Sequence, residues 1–194
     1  MSSILRLFKN SLPNRPRAKP LIGLLICLGF FGGMVILSGF STAIEATNSL
    51  DFCVSCHEMR DNVFKEYKQS AHYSNRTGVM VTCSDCHVPK DWSHKIIRKL
   101  NAANDIYATL VGSVNTKEKF EAKRMEMATR EWNTMKKSNS RECRNCHSFQ
   151  AMKSSKQKPQ AQQHHLQAQQ EGKTCIDCHK GIAHLLPKEY AEEE

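Results

Sequence analysis

The reading of this chain turns on 51-DFCVSCHEM-59. Cys53, Cys56 and His57 make a CxxCH unit, and Met59 follows two residues later. CxxCH is the attachment signature of a c-type haem: two cysteine sulfurs bond the macrocycle and the adjacent histidine reaches the iron. Working outward, the unit recurs as CSDCH (83–87), CRNCH (143–147) and CIDCH (175–179). The thioether positions are therefore Cys53, Cys56, Cys83, Cys86, Cys143, Cys146, Cys175 and Cys178, with motif histidines His57, His87, His147 and His179. Zinc ribbons and disulfides also use paired cysteines. Neither has a reason to place histidine at one offset in all four pairs, whereas thioether attachment does. Four covalently bound haem c groups are expected.

The haems set the fold class. Past residue 46 the chain offers roughly 37 residues per haem, too few for a conventional apolar core, so the macrocycles must supply it. A mostly α fold follows, a small haem-packed multihaem cytochrome c domain with long loops and little sheet. The motifs begin at 53, 83, 143 and 175, with gaps of 30, 60 and 32. That spacing divides the domain into two di-haem halves, about 47–112 and 139–187. His72 lies eleven residues before Cys83 and His165 ten before Cys175, so each half reads CxxCH, connecting helix, His, short loop, CxxCH. The insert, TKEKFEAKRMEMATREWNTMKKS, predicts a helix over 116–138, with Thr116 as N-cap and Lys136 and Lys137 at the far end. Met125, Ala128, Trp132 and Met135 fall on one stripe, read as packing against macrocycles rather than as iron ligands. Residues 150–173, rich in Gln, Lys and Ser, read as a polar connector around His165.

The ninth cysteine, Cys27, lies in LIGLLICLGFFGGMVILSGFSTAI (21–44), which carries no charge. As a helix this stretch would span roughly 36 Å, against a hydrocarbon core of about 30 Å. Residues 1–20 hold Arg6, Lys9, Arg15, Arg17 and Lys19 and no acid. The positive-inside rule then makes 1–20 cytoplasmic and 45–194 a periplasmic domain, with one anchor in a bacterial inner membrane. A cleaved signal peptide, with Ser41 and Ala43 as a small-x-small site, is disfavoured because its apolar region would be about 7–15 residues. Cys27 reads as a lipid-facing or packing residue. Gly29 and Gly33 form a GxxxG step that could seat a second copy, though glycine is common in such helices. With Glu45 just past the span and Cys53 eight residues later, the first haem is expected nearest the bilayer.

The net charge is +9, from 28 Lys+Arg against 19 Asp+Glu, and the mean hydropathy is −0.53. The bases are scattered, with no stripe interleaved with aromatics, so nucleic acid is not an expected partner. Haem propionates would offset much of the charge.

Nine histidines are present, and four are motif ligands. A six-coordinate haem takes a second axial ligand from elsewhere. His72 and His165 are marked by the repeat. His184 is five residues beyond His179, too near to wrap behind that haem but able to reach a neighbouring one. His164 and His165 adjoin, and the spacing leaves the choice between them open. His94, in KDWSHK, has no counterpart in the other half and reads as surface. Three distal histidines then serve four haems, and the first haem is the natural one left without.

The stretches FCVSCHEMR, SAHY, CSDCHVP, NDIYATLVG, KFEAKRMEMATREW, ECRNCH and TCIDCHKGIAHLLP, after a charged-then-apolar N-terminus, resemble the NapC/NirT family of membrane-anchored tetrahaem quinol dehydrogenases. The likeness covers nearly the whole chain and is strongest to the branch that feeds periplasmic nitrate reductase. It implies that Met59, rather than His57, ligates the first haem, which is then high-spin with its distal face left to substrate. It implies distal ligands at His72, His165 and His184, preferring His165 to His164. It places the family's quinol-site residues at Lys99 and Asp105, in IIRKLNAANDIY. Ile106 and Ala108 stand where some relatives differ, so quinone preference does not transfer.

Quinol oxidation releases two protons and two electrons, whereas a haem takes one electron at a time. Lys99 can bond a quinol oxygen and Asp105 can accept a proton. Six residues apart on one helix, they would be displaced by roughly 120° and flank a cleft. The expected function is oxidation of menaquinol or ubiquinol from the membrane pool, with electrons passed to a periplasmic terminal reductase, nitrate reductase foremost, or a soluble cytochrome. Nitrite or trimethylamine N-oxide reductase is the alternative acceptor, and a haem adaptor that docks a reductase without oxidising quinol is the alternative role. A redox sensor would need a cytoplasmic output domain, and only about 20 residues precede the span.

Overall fold

The computed structural model describes residues 18–191. Most of the basic stretch 1–20 therefore lies outside the described residues. The chain divides into two compact units, one up to Thr47 and one from Asn48.

The first unit is helix α1, Ala18–Ala46. It overruns the uncharged 21–44 stretch at both ends, with Pro20 in the first turn, where a missing N–H costs no helical bond. At 29 residues it is about 44 Å long. Leu25, Phe31, Ile36 and Leu37 are all exposed on it, and a helix apolar all round is one made for a lipid surround. Among the described residues it is the one helix long and apolar enough to cross a membrane.

The second unit is a string of short helices about one long one. They are α2 (Leu50–Cys53), a π-helical turn (Met59–Val63), α3 (Phe64–Tyr67), α4 (Cys83–His87), α5 (Trp92–Asn101), α6 (Ala103–Leu110), α7 (Lys117–Lys137), α8 (Arg141–Arg144), a 3-10 turn (Ser154–Lys156), α9 (Pro159–Gln170), α10 (Cys175–Cys178) and α11 (Lys188–Ala191). No strand occurs among the described residues. The mostly α class expected from the sequence holds. The apolar core among them is thin: Tyr67, Val114, Phe120 and Ile176 are its buried members. So few cannot stabilise a unit of this length alone, as expected where macrocycles fill the interior.

Helix α7 starts where Thr116 caps it, the hydroxyl accepting from the Lys119 N–H at 3.3 Å. Met125, Ala128, Trp132 and Met135 are partly buried, and Phe120 and Arg124 are the residues fully inside. Past its end, Asn139 and Ser140 take left-handed backbone with φ of 54° and 49°. That turn buries Ser140, whose hydroxyl accepts from the Ile176 N–H at 3.1 Å.

Two segments differ from the sequence reading. The connector 150–173 contains a twelve-residue helix, α9, opened by Pro159 at its first turn. Proline there is pre-set for a helix start, and Gln and Ala propagate well, so polarity hid a helix. The single helix expected to carry Lys99 and Asp105 breaks at Ala102 into α5 and α6. There the Asp105 N–H donates to the Ala102 carbonyl at 3.0 Å, a tighter i→i+3 bond. The 120° phase relation between the two residues therefore does not apply.

Candidate haem sites

The four motifs take two backbone forms in alternation. In the second and fourth, a helix starts at the first cysteine, and threonine and aspartate form a capping box: Thr82 with Asp85, Thr174 with Asp177. In each the threonine N–H donates to the aspartate Oδ2 at 2.8 Å. In the first and third, a helix leads into the motif instead, α2 and α8. Neighbouring motifs touch in chain order. Helix α2, which ends at Cys53, packs on α4, which begins at Cys83. Helix α4 packs on α8, and Ser140 joins α8 to Ile176 of α10.

Two imidazoles bound trans to one metal, each by a bond of about 2.0 Å with its ring centre about 1.1 Å behind the nitrogen, have centroids about 6.2 Å apart. Three pairs meet that measure: His72 with His147 at 6.2 Å, His87 with His184 at 6.3 Å, and His165 with His179 at 6.0 Å. The interplanar angles of 84°, 32° and 42° do not matter, since each ring plane contains its own nitrogen–metal axis and turns freely about it. His72 and His184 each hold a buried Nδ1 with no hydrogen-bond partner, the mark of a site completed by another group. Burial also lowers the pKa of His72, His179 and His184, favouring the neutral imidazole a metal requires. Among the described residues no three His, Cys, Asp or Glu side chains gather around a bare-metal position. The residues present fit haem.

The surroundings orient these rings. The Tyr67 hydroxyl donates to the His72 carbonyl at 3.3 Å. Gln157 Oε1 lies 2.9 Å from His165 Nδ1, which leaves Nε2 towards His179. His164 is exposed, so His165 is the inward member of the pair. His87 Nδ1 sits 3.5 Å from Glu131. Burial pushes Glu131 up, but the His87 contact and the charges of Arg98 and Arg130 outweigh it and hold the carboxyl at about 2. Sequence reasoning missed a clamp beside His184. Glu66 accepts from the Leu185 N–H at 2.9 Å, Arg124 donates to the Leu185 carbonyl at 3.3 Å, and the two side chains pair at 2.6 Å. Partners 58 residues apart leave no periodic signal.

The first motif is different. No second imidazole stands at about 6 Å from His57 among the described residues. His57 is half-exposed, 3.3 Å from the buried Glu58 carboxylate, on the wall of a cavity of about 480 Å³. Met59 opens the π-helical turn and is partly exposed. Such turns insert a residue and redirect side chains, frequently at functional sites. The Lys99 charge acts on Cys53, so α5 brings it beside this motif. Asp105 is held by Arg130 at 3.0 Å and Arg98 at 3.6 Å. Arg98 also donates to the His87 carbonyl at 3.2 Å, tying Asp105 to the second motif. His94 is exposed and bonds Asp91 at the N-cap of α5, away from every paired imidazole.

The model of the NapC/NirT cytochrome c family, N-terminal region, matches residues 15–189. The chain is 52% identical over 184 residues to the denitrification system component NirT of Stutzerimonas stutzeri, covering 95% of this chain and 92% of that one. It is 52% identical over 166 residues to the cytochrome c-type protein NapC of Escherichia coli strain K12, covering 86% and 83%. The cytochrome c-type protein TorC of that strain is 47% identical over 174 residues, 89% of this chain but 44% of TorC. No solved structure matches. With its haem-attachment motifs and its single apolar helix, the chain belongs to the NapC/NirT cytochrome c family, as a single-pass inner-membrane c-type cytochrome of respiratory electron transfer.

Proposed function

We propose that the protein carries four haem c groups, oxidises quinol at the first and delivers electrons to a periplasmic reductase. The observation that carries this reading is the asymmetry of the histidines: three motif histidines face a second imidazole at about 6 Å and His57 faces none. The haem c groups supply one-electron acceptors. His147 and His72 hold the third, His87 and His184 the second, His179 and His165 the fourth. The eight motif cysteines fix all four covalently. Met59 would hold the first in place of His57, leaving that haem open to substrate.

Lys99, beside Cys53, hydrogen-bonds a quinol oxygen and favours its anionic form. Asp105, oriented by Arg98 and Arg130, receives a proton. The N-terminus is cytoplasmic and the haem unit periplasmic. The acceptor is nitrate reductase in our reading; nitrite or trimethylamine N-oxide reductase is the alternative. The quinol is menaquinol or ubiquinol. An adaptor role without quinol oxidation is the second reading, favoured by the two arginines that already compensate Asp105.

The test is to mix purified holoprotein in lipid with a menaquinol analogue and follow haem reduction. Reduction that is lost in Lys99→Ala, with all four haems still attached, supports quinol oxidation. Wild-type protein that stays oxidised, yet still binds a reductase, makes it an adaptor.

A further inference from the structure

Helices α5 and α6 are turned inside out. A surface helix ordinarily faces its apolar stripe to the core and its charges to water. Here Arg98 points inward, to the His87 carbonyl at 3.2 Å and Glu131 at 3.3 Å, and Asp105 is held by Arg98 and Arg130. The opposite face presents Ile97, Leu100, Ile106, Tyr107, Leu110 and Val111, every one more than half exposed and Leu110 four-fifths exposed. Six large apolar side chains exposed within fifteen residues are more than monomeric soluble domains ordinarily show to water.

Three features say what covers it. The segment 90–111 carries Lys90, Lys95, Arg98 and Lys99 against Asp91 and Asp105 alone, a cationic balance. Both acids are engaged, Asp91 with His94 and Arg141 and Asp105 with the two arginines. Trp92 and Tyr107 add the amphipathic aromatics that favour the membrane–water boundary. Along the chain, only Thr47 lies between α1 and the unit that begins at Asn48.

We propose that α5 and α6 form an in-plane lipid-binding face, its apolar side chains seated between headgroups and acyl chains and the net positive charge of the segment drawn to anionic headgroups. The face stands whether or not the protein oxidises quinol. Full-length holoprotein in nanodiscs of phosphatidylglycerol and phosphatidylethanolamine, doped with a phospholipid bearing a diazirine on its acyl chain, is irradiated, digested and mapped by mass spectrometry. Acyl labelling is expected within residues 96–111 as well as in α1. It should be lost in Leu110→Glu and, as a milder change, in Leu110→Ser, with four haems attached and spectra unchanged. Labelling of α1 with none in 96–111 overturns the proposal. So does a haem spectrum shifted by Leu110→Ser, which would assign the face to a macrocycle.

Discussion

In the proposed reading Met59 and His57, two residues apart, are rival ligands for one iron. A thioether is a weaker donor to ferric iron than imidazole, so methionine ligation raises the potential and lets that haem accept an electron from quinol. The structure leaves His57 half-exposed beside Glu58 and starts a π-helical turn at Met59. Met59→Leu should therefore shift the high-spin signal of the first haem and abolish quinol oxidation, while His57→Ala leaves both unchanged. The reverse pattern, read by electron paramagnetic resonance and a quinol assay, would make His57 the ligand. His94→Ala should leave every haem spectrum unchanged, since His94 serves Asp91. At this scale the sequence is informative about chemistry and nearly silent about partners. CxxCH names its own ligand, but whether His164 or His165 turns inward depends on a helix phase that polar composition concealed.

Among elements, α5 depends on its cap. Asp91 accepts from the His94 side chain and backbone N–H, which pull its carboxyl down to about 2. A depressed carboxyl stabilises the fold above its ordinary value and loses that contribution as protons bind. The protection of first-turn amides of α5, taken relative to their intrinsic exchange rate, should thus fall as pH drops from 3.8 towards about 2. Asp91→Ala should lower that protection already at neutral pH and leave it unchanged across the window. The clamp between α3 and α7 makes a larger demand. Arg124, nearly buried, pairs with Glu66 and Glu121 and holds the backbone beside His184. Arg124→Ala strands Glu66 and should cost about 3–5 kcal/mol in thermal or denaturant unfolding. It should also weaken the low-spin signature of the haem on His87. The cap of α7 was legible, because Thr116 and the paired lysines are local signals. The clamp was not, because an ion pair between distant segments leaves no trace in spacing, and the inward arginine sits where an apolar stripe alone was expected.

Across the whole molecule, the nearly equal spacing of His72 and His165 suggests equal duties in two halves. The structure gives them unequal ones. His165 faces the motif of its own half, whereas His72 faces His147 in the other, and His184 returns from near the C-terminus to His87. The halves are laced together, and neither holds its own set of imidazole pairs. Lacing has a consequence for how such a chain matures. A polypeptide emerges N-terminus first, so Cys83 and Cys86 are available for haem attachment long before His184 arrives. A haem held by His87 would then lack its proposed partner until His184 is delivered, and its spin state would report that arrival. A chain stopped at Ala183 keeps all four motifs yet should show that haem high-spin, as should His184→Ala in the full chain. Low-spin spectra in both would mean that completion is sensed elsewhere. In that reading an early site would be completed from far along the chain, with His184 acting as its seal.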